Sequence, residues 1–154
     1  MERTLVEAVN DALHVEMERD EMIMVMGEDV GRAGGVFRAT AGLRDRFGVD
    51  RCVDTPLAEA GILGTAIGLA MAGWRPVCEM QYESFSYPCL DQLITHVGRY
   101  RWRTGGAMEF PLTIRMPTGG GMASAAAMPA FIRPSASARI SSASSSVRTP
   151  TRRR

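Results

Sequence analysis

The chain contains no lysine; all 18 of its basic residues are arginine. That uniformity points to a compositional bias of the source rather than a surface built for nucleic acid. Acids are missing from the last third. Residues 1–109 hold 17 acids and 11 arginines, net −6, whereas residues 110–154 hold 7 arginines and no acid, net +7. Cysteine is scarce, with Cys52, Cys78 and Cys89 and no CxxC pairing. An odd count, and a start that passes from Met1-Glu2-Arg3 straight into an amphipathic pattern without a secretory leader, imply reduced thiols in the cytoplasm. The longest apolar run, Ala60 to Trp74, carries four glycines and falls short of a membrane span. Gly31, Gly34 and Gly35 do not form GxGxxG, and no GxxxxGK[ST] occurs, so no phosphate cradle is visible. His14 and His96 have no cysteine or second histidine at ligand spacing, which leaves them packing or surface roles.

What is present suits one domain. At 154 residues and 45% hydrophobic content, the chain can bury a real core. Thr4-Leu5-Val6-Glu7 is a capping box that opens a helix to about Asp20. Met22 to Met26 reads as a buried strand ending at Gly27-Glu28-Asp29. Ala39 to Phe47 reads as a short helix stopped by Gly48, and Arg51 to Asp54 as a strand. A Gly/Ala-rich helix covers Gly61 to Gly73. Val77 to Met80 is a strand, and Gln81 to Tyr87 an aromatic loop. A helix from Pro88 to about Trp102 and a strand from Pro111 to Met116 complete the pattern. Strands alternating with helices predict an α/β fold, a mostly parallel sheet flanked by helices. Residues 1–121 form this domain. Residues 122–154 are an Ala/Ser/Arg-rich tail expected to be irregular and disordered.

The chain is organised around Asp54-Thr55-Pro56-Leu57-Ala58-Glu59-Ala60-Gly61. Pro56 holds Thr55 extended, so a strand can turn sharply into the small-residue helix with Glu59 at its mouth. An acid there can handle a proton, though acids also favour helix starts through the macrodipole alone. Glu28 and Asp29 end a strand, where ligands often meet an open α/β sheet; as a pair they can equally cap the next loop. Tyr82 and Phe85 can be core or a stacking platform. Arg99, Arg101 and Arg103, around Tyr100 and Trp102, form a solvated helix end or meet a partner subunit.

Taken together these segments closely resemble the β subunit of thiamine-diphosphate-dependent 2-oxoacid dehydrogenase E1 components, of branched-chain or pyruvate type. The resemblance rests on Gly27-Glu28-Asp29-Val30-Gly31, Gly34-Gly35-Val36-Phe37, Asp54 to Gly61, Gly73-Trp74-Arg75-Pro76-Val77-Cys78-Glu79 and Leu112-Thr113-Ile114-Arg115-Met116-Pro117. It covers residues 1–121 in the family's order. It implies a pyrimidine-binding domain in which Glu59 hydrogen-bonds N1′ of the aminopyrimidine and favours the imino tautomer. That tautomer takes the proton from thiazolium C2 to give the ylid. The acid is then expected to be held dry, with a raised pKa. Phe85 matches the aromatic that stacks on the pyrimidine. Leu57 and Gln81 match positions lining the same pocket, and Glu28 belongs with the cofactor-binding residues. Carbonyls matching Leu112 and Thr113 help hold a structural K+.

The family's diphosphate and Mg2+ are held by the α subunit through a GDG…N motif. No GDG occurs in this chain, so an E1 α partner is implied, in an α2β2 assembly. The acyl group passes from the 2-oxoacid to a lipoyl group on E2. No nucleic acid or membrane partner is expected. After Gly119-Gly120-Gly121 the family's histidine-bearing segment and second domain have no match, so a truncated or frame-disrupted, poorly active β subunit is expected. Transketolase and deoxyxylulose phosphate synthase share the key glutamate but carry the diphosphate motif on one long chain. A different class of reading is a non-catalytic α/β binding module whose arginine-rich tail meets acidic partners.

Overall fold

A computed structural model describes residues 3–118, and the backbone of residues 138–144. The elements are α1 (Leu5–Arg19), β1 (Ile23–Gly27), α2 (Leu43–Phe47), β2 (Cys52–Asp54), α3 (Glu59–Met71), β3 (Arg75–Glu79), α4 (Leu90–Gln92), α5 (Tyr100–Arg103), β4 (Leu112–Thr118) and β5 (Ala138–Ser144). The strands form one sheet in the order β2-β1-β3-β4-β5, with every pairing parallel. The α/β expectation therefore holds.

Local chemistry sets the elements. The Thr4 hydroxyl accepts the Glu7 N–H at 3.3 Å, and the Glu7 carboxylate accepts the Thr4 N–H at 2.8 Å. This is the reciprocal capping expected from sequence. Arg51 donates to the carbonyls of Met17, Asp20 and Ile23, and so fastens the turn between α1 and β1. The small residues of α3 let it lie close on one face of the sheet. There Ile62, Leu63, Ala66, Ile67 and Ala70 meet Met26, Cys78, Leu112 and Ile114. The opposite face is covered by α1 and α2 through Met17, Val25, Val30, Leu43 and Cys52.

Three expectations need adjustment. The short helix spans only Leu43–Phe47, because Gly42 takes a left-handed conformation at φ +79° and restarts the chain there. The helix expected from Pro88 is not continuous. A 3-10 segment, Glu83–Cys89, leads into α4, then a π turn, Leu93–Val97, then α5. In the π turn the Gly98 N–H reaches back to the Leu93 carbonyl at 2.8 Å. Third, the expected disorder after residue 121 does not extend to Ala138–Ser144, which pair along the full length of β4. Backbone ladders need no apolar pattern, so this Ala/Ser-rich stretch gave no strand signal. The rest of residues 122–154 lies outside the described residues.

Candidate active site

The strands all point the same way, so the ends of β1, β2 and β3 share one edge, and the turns leaving them converge there. Two close approaches set this edge. A Cβ on Gly27 would lie 2.4 Å from the Glu79 carbonyl oxygen, so only glycine lets β1 and β3 finish side by side. A Cβ on Gly31 would lie 2.8 Å from an Asp54 carboxylate oxygen. That approach lets Asp54 accept the N–H groups of Gly31 (2.6 Å) and Arg32 (3.2 Å) and pair with Arg44 at 2.6 Å. Asp54 thereby clasps the glycine-rich loop to the end of β2. The Thr55 N–H donates to the Gly27 carbonyl at 2.9 Å, carrying the chain across β1 before it enters α3.

This path brings Glu28 and Glu59 near enough for the charge of Glu59 to act on the Glu28 carboxyl. Glu28 is 4% exposed, and neither of its carboxylate oxygens has a hydrogen-bond partner among the described residues. Burial pushes its carboxyl up, and the nearby charges of Glu59 and then Asp29 push it further. The Ala58 N–H lies close enough to oppose this weakly, though outside hydrogen-bond geometry. Asp29 stands at φ +57°, a conformation uncommon for a residue with a side chain and worth reading as constraint at a site. Glu59 opens α3 and is half-buried. The expectation of a dry Glu59 thus needs correcting: α3 presents Glu59 half-buried on its first turn, and the buried acid beside it is Glu28.

The aromatic loop leaves the end of β3 at the same end of the sheet. Cys89, which closes the 3-10 segment, has its thiol pushed up to about 11, first by burial and further by the charge of Glu59. Tyr82 and Phe85 meet edge to face at 5.5 Å, and Phe37 meets Tyr82 in the same way at 6.5 Å. Phe85 remains 41% exposed. Gln81 reaches toward Asp29, with its amide nitrogen 3.5 Å from a carboxylate oxygen. Leu57, 79% exposed, stands at the outer rim.

Glu28, Glu59, Gln81 and Phe85 therefore gather at one sheet edge. Leu112 and Thr113 do not; they begin β4, at the opposite end of the strands, in register with Ala138 and Arg139. His14 packs on Phe47 at 5.8 Å between ring centres, and His96 is exposed; neither joins the site. No cluster of three or more His, Cys, Asp or Glu suited to a metal occurs among the described residues. Sequence reasoning missed the Glu79–Arg115 pair just behind the edge. Arg115 Nε and Nη2 each sit 2.5 Å from a Glu79 oxygen, and both residues are buried. The two positions stood in plain view as a charge in each of two apolar strands, a pattern that itself calls for a cross-strand partner.

Comparison with known proteins bears on what this edge does. The chain is 52% identical over 122 residues to the 3-methyl-2-oxobutanoate dehydrogenase subunit beta of Mycobacterium tuberculosis, a match that covers 79% of this chain and 35% of that protein. It is 54% identical over 119 residues to the pyruvate dehydrogenase E1 component subunit beta of Staphylococcus epidermidis, covering 77% and 37%. The same subunit of Bacillus subtilis is 51% identical over 119 residues, with the same coverage. The chain thus spans about a third of the length of these relatives. Its fold is similar to that of a solved "split gene transketolase, inactive beta4 tetramer", with a TM-score of 0.57 and 17% identity over 75% of this chain and 34% of that one. No helix among the described residues is long and apolar enough to cross a membrane. Residues 2–139, from before α1 into β5, match the model of the transketolase pyrimidine-binding domain, and to that family this chain belongs.

Proposed function

We propose that this chain supplies the pyrimidine-binding half of a 2-oxoacid dehydrogenase E1 β subunit. On this reading it serves decarboxylation of a 2-oxoacid and transfer of the acyl group to lipoyl-E2. An E1 α subunit would complete the site in an α2β2 assembly, in the cytoplasm, and would hold the diphosphate through Mg2+. One observation carries the reading: a buried carboxyl group whose two oxygens have no partner among the described residues, Glu28, lies near enough to a half-buried acid, Glu59, to be influenced by its charge. An aminopyrimidine would suit these groups, since its ring nitrogens and amino group can pair with carboxyl groups and its flat face with the Phe85 ring.

Bound thiamine diphosphate would supply the electron sink for decarboxylation. The chain's own part is positioning and proton handling. Glu59, at the rim, holds a proton toward the ring nitrogen. Glu28 is the neighbouring acid, its carboxyl pushed up by burial and by the charges of Glu59 and Asp29. Phe85, braced by Tyr82, covers the ring and keeps water off it. Gln81, drawn toward Asp29, and Leu57 border the opening. A structural K+ is proposed at the start of β4 with the carbonyls of Leu112 and Thr113. No step depends on this ion. Alone, the chain is expected to turn over little 2-oxoacid, because it contains no GDG sequence for the diphosphate end.

The test is reconstitution with an E1 α subunit, thiamine diphosphate and Mg2+, with 2-oxoacid decarboxylation and hydrogen–deuterium exchange at cofactor C2 as readouts. Glu59→Gln should slow exchange by about 100-fold or more, the lower range for a lost general acid–base, with circular dichroism unchanged. Unaltered exchange in that variant would remove Glu59 from its role. Failure of the chain to associate with any E1 α subunit would remove the E1 reading.

A further inference from the structure

We propose that the hollow between the glycine-rich loop and α2 binds a small phosphate monoester that also carries hydroxyl groups, such as a sugar phosphate. The hollow has a volume of about 290 Å3, and Gly31, Arg32, Arg38, Gly42, Arg44 and Asp45 stand on its wall. Glu28, Glu59, Gln81 and Phe85 are not among the residues that line it.

Three guanidinium groups meet here, and they are not equivalent. Arg44 is committed. Its side chain lies across Gly31, where a Cβ would come 2.9 Å from Arg44 Cδ, and its charge is met by Asp54. Arg32 and Arg38 are exposed and take part in no ion pair among the described residues. Arg38 Nη1 donates to the Ala33 carbonyl at 2.6 Å, which steadies the guanidinium and leaves its other N–H groups open. The loop that carries both arginines is held ready. Phe37 and Arg38 stand at φ +59° and +62°, two successive residues with side chains in the left-handed region. Such strain persists where the surroundings fix it, and it gathers at binding sites. The Gly35 N–H donates to the Asp29 carbonyl at 2.8 Å, the Thr40 N–H to the Gly34 carbonyl at 3.0 Å, and the Thr40 hydroxyl to the Val30 carbonyl at 2.7 Å. A ligand would find the arginines in place, with little left to order.

Charge selects the ligand. Two open guanidinium groups call for an anion rich in acceptor oxygens, and a phosphate monoester offers three where a carboxylate offers two. Asp45 is the acid on the wall, exposed and in no ion pair among the described residues. Its carboxylate repels a bare anion and accepts hydrogen bonds from hydroxyl groups. A molecule that suits both sides has phosphate at one end and hydroxyls at the other. The volume lies at the lower end for small-molecule pockets, which suits a single sugar ring. Such a site needs no GxGxxG or GxxxxGK[ST] cradle, because side chains replace the loop amides.

The inference uses none of the groups in the thiamine reading, so either can fail without the other. Its test is titration calorimetry of the full chain, without thiamine diphosphate, against ribose 5-phosphate, inorganic phosphate and ribose. Ribose 5-phosphate should bind with a Kd below about 1 mM, about 10-fold tighter than inorganic phosphate, and ribose should give no signal. Arg32→Gln and Arg38→Gln should each weaken the ester by about 10-fold or more, the usual effect of losing a charged hydrogen bond. Asp45→Ala should narrow the gap between ester and inorganic phosphate to about 3-fold or less, since the hydroxyl acceptor and the repulsion leave together. The Arg32 side chain is exposed and makes no hydrogen bond or ion pair among the described residues, so its variant keeps the fold even where Arg38→Gln does not. No binding of ribose 5-phosphate at about 10 mM would overturn the proposal. So would an affinity unchanged in Arg32→Gln, or a full gap retained in Asp45→Ala. Inorganic phosphate binding as tightly as the ester would reduce the hollow to an unselective anion site and equally overturn it.

Discussion

Two buried glutamates stand at neighbouring strand ends and have opposite surroundings. Glu79, closing β3, is held by both arms of the Arg115 guanidinium. Burial pushes its carboxyl up, while the charge and hydrogen bonds of Arg115 pull it back. Glu28, just past the end of β1, has no such partner among the described residues, and the charges acting on it are those of the acids Glu59 and Asp29. The same sheet edge thus carries one satisfied carboxylate and one left open. An orphaned buried acid lowers stability, and a fold retains that arrangement where something else completes it. The contrast separates the group that holds the edge together from a group left without a partner among the described residues.

The sharpest way to break this contrast is to orphan the satisfied acid. Arg115→Met should destabilise the chain by about 3–5 kcal/mol, the usual effect of leaving one member of a buried pair uncompensated. Chemical denaturation would read it, and Glu79→Leu added to Arg115→Met should recover much of the loss. A mild effect of Arg115→Met alone would mean that the pair is far less buried than described.

The second prediction concerns Glu28. Its folded-state pKa is raised, so its contribution to stability is full below the ordinary carboxylate range. That contribution is lost as pH rises through the raised value. Glu28→Gln should therefore stabilise the chain near pH 8, by about 1–3 kcal/mol, and give little gain near pH 4. Melting curves at the two pH values decide it, and a gain of equal size at both would contradict the assignment. The smallest effect is expected at Arg44, whose pair with Asp54 is partly exposed. Arg44→Ala should cost under about 1 kcal/mol while speeding amide exchange at Gly31, which Asp54 still holds through the backbone. Slower exchange there would show that Arg44 competes with the loop for Asp54.

Much of the fold was legible because local rules and the global arrangement agree. The Thr4–Glu7 box, the strand runs and the glycine-bearing helix α3 each follow from spacing or composition. The long helix after Pro88 was misjudged because periodicity does not register a single inserted residue, and the π turn at Leu93–Val97 is such an insertion. β5 was invisible because main-chain pairing, not an apolar pattern, defines it. At the site, proximity in sequence identified Glu59, and the resemblance grouped it with Phe85 and Gln81. Which acid is dry was not legible, because burial of Glu28 depends on the path of Thr55–Ala58 across the end of β1. The Glu79–Arg115 pair was missed for a related reason: the register that aligns Glu79 with Arg115 is a property of two strands, and neither alone specifies it.

Gly27 has a consequence for how this edge can change. The gap between the first and third strands at their tips is fixed by main chain meeting main chain, with a single hydrogen in between. No enlargement of side chains nearby can tune that gap in small steps. Any replacement of Gly27 forces the tips apart at once and carries the two glutamates with them, so the distance separating the satisfied acid from the open one is inherited whole or lost whole.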